Sequence, residues 1–168
     1  SLEDSACVAV FMIDLDNFKS INDSLGHPVG DTLLQSFALR LKAIAAPSWM
    51  IGRLGGDEFA ITVPTDAPLP DIQNTVDGLM RRISKTFSVD GHRLQIFASI
   101  GVAFGPTDSD NAEELIALAD RAMFQAKRSG GRKVKLFDQA MRADIAARRQ
   151  INDALILASK RDEWELFF

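Results

Sequence analysis

A chain of 168 residues with 46% hydrophobic content has room for one domain with a sizeable core, plus a tail. Its net charge of −4 excludes the broad basic footprint of a nucleic-acid binder, so a phosphate ligand would need local cations or a metal. The single cysteine, Cys7, excludes an internal disulfide and fits a reducing, cytoplasmic compartment. No signal peptide is visible and no apolar run reaches the length of a membrane span, so no membrane contact is expected of this segment.

Val8 to Ile13 is an unbroken apolar run, the pattern of a strand buried on both faces, and it stops at Asp14-Leu15-Asp16. Cys7 lies at its edge and reads as a packed thiol. Phe18 and Lys19 fall in the turn that follows. Gly30 to Ile44 reads as a helix whose apolar stripe is Leu33, Leu34, Phe37, Leu41 and Ile44, with Asp31 in its first turn. Met50 to Arg53 and Phe59 to Val63 read as strands joined across Gly55-Gly56. Asp66 to Pro70 is a loop and Asp71 to Lys85 a second amphipathic helix. Phe87 to Val89 and Arg93 to Ala103 form a hairpin turning at Asp90-Gly91. Asn111 to Arg128 is a third helix, with Asn111 as N-cap and Leu115, Ile116, Ala119, Ala122 and Met123 inward. Ser129-Gly130-Gly131 breaks it, and Val134 to Phe137 is a last short strand. Helices that alternate with hairpins favour an α/β sandwich on a mostly antiparallel sheet over a doubly wound parallel one. From Asp138 the character changes. Met141 to Ser159 is long, charged and proline-free, and reads as a helix leaving the domain or as one docked on it. The opening on Ser1 and the closing Trp164-Glu165-Leu166-Phe167-Phe168 read as cuts from a longer protein.

The chemistry gathers around Arg53-Leu54-Gly55-Gly56-Asp57-Glu58-Phe59. Glycine permits a sharp turn and close approach of a ligand. Adjacent acids there are costly unless a cation stands between them. The plain alternative is a hairpin with solvated acids at its tip. Asp14, at the end of a central strand, would join Asp57 and Glu58 as three hard oxygen ligands, suited to Mg²⁺ or Mn²⁺ carrying a phosphate. Backbone N–H groups beside Phe18 form a concavity for an anion, and Lys19 adds a point charge. Asn22 and Asp31 are the polar residues suited to the edge of guanine, if they are not simply a helix cap and a first-turn acid. Lys127 and Arg132 flank Ser129-Gly130-Gly131 and could clamp terminal phosphates or merely complement a helix end. The sequence holds no Cys/His metal cluster, no Walker-A loop and no nucleophile elbow.

The strings IDLDNFKSIND, GHPVGD, RLGGDEF, ASIGVA and ADRAMFQAKRSG, in that order from about Val8 to Phe137, resemble a GGDEF domain of the diguanylate cyclase family. Residues 1–137 are thus expected to be a GGDEF domain. The tail, with Arg149, Ala154-Leu155 and Glu163-Trp164-Glu165-Leu166, resembles the linker and first strand of an EAL domain, which makes 138–168 the passage into a second domain. The resemblance implies a nucleotidyl-cyclase or palm-like fold and condensation of two GTP into cyclic di-GMP and two pyrophosphates across a homodimer. By similarity, Asp14, Asp57 and the Leu15 carbonyl hold the metals with Glu58 beside them, and Asp57 is also the candidate base. Lys19 stabilises phosphate charge. Asn22 and Asp31 read guanine, while Phe18, Gly56, Lys127 and Arg132 line the substrate. The same resemblance admits an alternative: a GTP-binding module that regulates an adjacent cyclic di-GMP phosphodiesterase without turnover.

Three departures stand out. The family's inhibitory Arg-x-x-Asp is replaced by Ala46-Pro47-Ser48-Trp49, so product inhibition there is expected to be absent. Gly131 stands where the family places a cation, with Arg132 one residue later. The family's leading helix, with its Asp-x-Leu-Thr and Asn-Arg elements, has no counterpart in residues 1–168.

Overall fold

The structure is a computed structural model that describes residues 7–65 and 69–144, together with positions 154 and 157. Its elements run β1 (Val8–Asp16), α1 (Phe18–Leu25), α2 (His27–Ile44), β2 (Met50–Gly55), β3 (Glu58–Pro64), α3 (Leu69–Ile83), β4 (Phe87–Val89), β5 (His92–Leu94), β6 (Phe97–Gly105), α4 (Ala112–Arg128) and β7 (Val134–Leu136). Five strands form the main sheet in the order β2-β3-β1-β6-β7. All its pairings are antiparallel except β6 with β7. This is the expected α/β sandwich with a mostly antiparallel sheet.

β1 is the central strand and is covered on both faces, as its unbroken apolar run requires. On one face Phe11, Ile13 and Leu15 join Phe59, Ile61, Ile100 and the helix residues Leu33 and Phe37 in the core. Phe37 meets Phe59 with ring centroids 5.1 Å apart, so the core reaches the residue after the Asp57-Glu58 pair. On the other face α4 lies against β6 and β1. Gly101 makes that approach possible: a Cβ there would stand 1.9 Å from the Ala119 carbonyl oxygen and 2.1 Å from the Met123 nitrogen.

Several expectations need correction. Phe18 to Leu25 is a helix, α1, not part of a turn. Its apolar residues Phe18, Ile21 and Leu25 fall on one helical stripe, and Asn17 at φ 60° reverses the chain ahead of it. α2 starts at His27, with Pro28 in its first turn, so Asp31 lies past the first turn rather than in it. α3 starts at Leu69, inside the expected loop, whose residues 66–68 lie outside the described ones.

The run from Arg93 to Ala103 is two strands. β5 pairs only with β4, across a turn in which Asp90 and Gly91 have φ of 47° and 80°, and β6 belongs to the main sheet. Gln95 and Ile96 belong to neither strand, although the Ile96 side chain is buried in the core. Ile116 is exposed, while Leu118 and Ala126 complete the buried stripe of α4. Position 116 lies on the edge of that stripe, beside a recess lined by Val8, Val10 and Met50. Cys7 is exposed, because the covered part of β1 begins after it.

The chain divides into two compact units, 1–137 and 138–168. In the second, residues 139–144 are helical, and the Asp138 side chain accepts from the Met141 N–H at 2.8 Å. The rest of the helix expected from Met141 to Ser159 lies outside the described residues, apart from positions 154 and 157.

Candidate functional site

Asp14 lies third from the end of β1, directly across from Glu58 on β3 and Ser99 on β6. The Leu15 N–H donates to the Asp57 carbonyl at 3.3 Å, tying the strand end to the hairpin. That hairpin pairs Gly55 with Glu58 and turns on Gly56 and Asp57, with Gly56 at φ 50°. A bulge at Leu54 precedes it. The Arg53 guanidinium closes the turn by donating to the Gly56 carbonyl from Nε at 2.9 Å and Nη2 at 2.6 Å.

Asp14 is 4% exposed and pairs with Lys127 of α4, Nζ to Oδ2 at 2.5 Å. Its other oxygen, Oδ1, is buried with no hydrogen-bond partner. Burial raises the Asp14 pKa above its ordinary value of 3.8. The Lys127 hydrogen bond and charge oppose the rise, while the charges of Asp57 and Glu58 add to it. The backbone therefore brings the three acid positions together. Among the described residues, however, no three His, Cys, Asp or Glu side chains are gathered closely enough to hold an ion as they lie. The expected ligand trio is not assembled in this side-chain arrangement, in which Lys127 supplies the positive charge at Asp14. The donor set nevertheless fits a hard cation. Asp14 offers an unused buried oxygen, and Asp57 and Glu58 are half-buried beside it. The Leu15 side chain is in the core, which leaves its main-chain carbonyl as the only group it can offer.

Next to the acids, Asp16, Asn17, Lys127, Gly130, Gly131 and Arg132 line a recess of about 470 Å³. Phe18 is buried at the start of α1 and Lys19 follows, exposed, in the same first turn. The first N–H groups of a helix have no partners inside it, and they suit an anion. Asn22 lies inside α1 rather than at a cap, about 7 Å along the helix axis from Asn17. Its Oδ1 is also buried without a partner. Asn22 lies against Gly30, where a Cβ would come within 1.8 Å of that oxygen, and Asp31 follows, exposed, on α2. The structure thus groups Asn22 with Asp31 at the α1–α2 junction, and Lys127 with Arg132 around the recess.

In the sequence Asp16 stands only as the second acid of Asp14-Leu15-Asp16, with nothing beside it to indicate a role. Strand residues two apart face the same side. Asp16 accordingly turns toward the α4–β7 loop, accepting from Ser99 Oγ at 2.7 Å and from the Arg132 N–H at 2.8 Å. Ser99, a fully buried hydroxyl inside the apolar run of β6, was the signal that a polar group had to face it.

The α/β sandwich, with acids at the end of its central strand and cations at the adjoining helix end, shares the fold of solved domains of the nucleotide-cyclase class. Within that class the chain belongs to the GGDEF family: the family model described as "Diguanylate cyclase, GGDEF domain" matches residues 2–133. The chain is 35% identical over 168 residues to MucR of Pseudomonas aeruginosa, a bifunctional diguanylate cyclase/cyclic di-GMP phosphodiesterase, covering all of this chain and 24% of that protein. It is 32% identical over 167 residues to NbdA of the same organism, a cyclic di-GMP phosphodiesterase, covering 96% of this chain and 20% of that one. Among solved structures it resembles the GGDEF domain of TpbB (YfiN) from P. aeruginosa, with a TM-score of 0.77 and 34% identity over 80% of this chain and 84% of that one. The chain spans a quarter or less of the length of MucR and NbdA. Among the described residues no helix is long and apolar enough to cross a membrane.

Proposed function

We propose that the domain condenses two molecules of GTP into cyclic di-GMP and two pyrophosphates. The observation that carries this reading is Asp14: a buried carboxylate with one oxygen on a lysine and one on nothing, held between two further acids and a cation-lined recess. Asp14, Asp57, Glu58 and the Leu15 carbonyl would hold Mg²⁺ or Mn²⁺. The metal would neutralise phosphate charge and favour ionisation of the attacking 3′-hydroxyl. Asp57 is the proposed base. Lys19, Lys127 and Arg132 take the phosphates, with Gly56 and the N–H groups at Phe18 allowing close main-chain approach. Asn22 and Asp31 would bind guanine: the unpartnered Asn22 oxygen would accept from its N1–H and 2-amino edge, where adenine has no donor, which favours guanine. Each domain holds one substrate, so two domains must face each other.

The relation to NbdA favours a second reading, in which GTP binding here regulates an adjacent EAL-like phosphodiesterase without turnover. Residues 138–168 would then lead into that domain, in a cytoplasmic protein or the cytoplasmic part of an anchored one. Incubation of the full-length protein with GTP and Mg²⁺ separates the readings. Cyclic di-GMP that disappears on Asp57→Ala supports synthesis. GTP binding without product, with guanine binding retained in Asp57→Ala, supports regulation. Absence of GTP binding removes both.

A further inference from the structure

Three successive residues, Gly130, Gly131 and Arg132, have left-handed backbone, with φ of 105°, 66° and 57°. For glycine this costs nothing, but for arginine it is strained and persists only where surroundings impose it. Asp16 does so. One carboxylate oxygen accepts from the Arg132 N–H, and the other is held by Ser99. A Cβ on Gly131 would stand 3.1–3.2 Å from the same carboxylate, a tight contact, and the backbone there has φ 66°, so position 131 favours glycine and the cation stands at position 132. The Arg132 guanidinium then stacks on Phe97 at 4.2 Å from the ring centroid, and Phe97 is the cross-strand partner of Asp16. One pair of strand neighbours thus fixes both the backbone and the side chain of Arg132 at the wall of the recess.

We propose that Asp16 is a positioning residue for the polyphosphate end of the substrate. It sets the α4–β7 loop so that Arg132 projects over Phe97 into the recess, compensating for the displaced cation. The assignment rests on the GTP-binding reading of the site, and it requires Asp16 to act through Arg132 and not on the base.

Two measurements test it on the chain with Mg²⁺ present. Amide exchange at Arg132 should be protected in the wild type and lose that protection in Asp16→Asn, whatever the ligand. Affinities for GTP and for guanosine should separate: Asp16→Asn and Arg132→Ala each weaken GTP about tenfold and leave guanosine within about twofold, and the double variant loses no more than either alone. Equal loss for guanosine, an additive double variant, or unchanged exchange at Arg132 overturns the proposal. A wild type that binds guanosine but gains nothing from the triphosphate overturns it too. A wild type that binds neither ligand overturns the GTP reading and with it the phosphate role, while the exchange result still decides whether Asp16 sets the loop.

Discussion

The two buried acceptors left without partners at the proposed ligand positions, Asp14 Oδ1 and Asn22 Oδ1, are expensive in an empty domain, since a buried polar group without a hydrogen bond costs about 1–3 kcal/mol. Asp14 makes the cost titratable. Its folded pKa lies above 3.8, so the unfolded chain gives up the proton first. The stability Asp14 contributes is complete below 3.8 and is lost as pH rises through the folded value. Without divalent cation, Asp14→Asn should therefore melt higher than wild type at neutral pH, and the gap should close as pH falls toward 3.8, read as Tm against pH. Mg²⁺ should reverse the ranking at pH 7. It needs the ionised carboxylate, so its stabilising increment in the wild type should grow with pH over the same interval. Lys127→Met should steepen the pH dependence, because it removes the cation that holds Asp14 down.

At the scale of elements, the long strands and helices were legible because each carries one periodicity over many residues. β1 has an unbroken apolar run, and α2 and α4 have apolar stripes whose residues recur three and four positions apart. What escaped was short or locally contradictory. α1 has eight residues and no side-chain cap, so its Phe18-Ile21-Leu25 stripe was outweighed by the turn signals around it. The β5–β6 break falls at Gln95-Ile96, with no glycine, proline or other turn residue to mark it. The acids and cations were legible as residue types. The pairing of Asp14 with Lys127 and of Asp16 with Arg132 joins elements more than 100 residues apart and could not be read along the chain.

The packing of elements carries two further expectations. Gly101→Ala should cost about 3 kcal/mol in denaturant unfolding, because its Cβ would strike α4 main chain that cannot move aside. Gly30→Ala should displace Asn22 and cut the preference for GTP over ATP about tenfold in competition binding, with little change in the metal-dependent part.

At the scale of the whole molecule, the proposed function gives each domain acids, cations and base contacts for one nucleotide, and on that proposal bond formation between two nucleotides is expected to be second order in protein. Specific activity of dilute protein should rise with concentration and level off once dimers saturate, and fusing a parallel coiled coil to the chain should abolish that dependence.

The proposed metal ligands are divided between parts of very different persistence. Asp14 is borne by the innermost strand, which is paired on both sides and is expected to open last. Asp57 and Glu58 hang on a hairpin whose outer arm, β2, is largely exposed at the margin of the sheet. Gentle heating should fray that margin first. The ion would then leave a domain whose far-ultraviolet spectrum still looked intact, and substrate would be shed before the fold was.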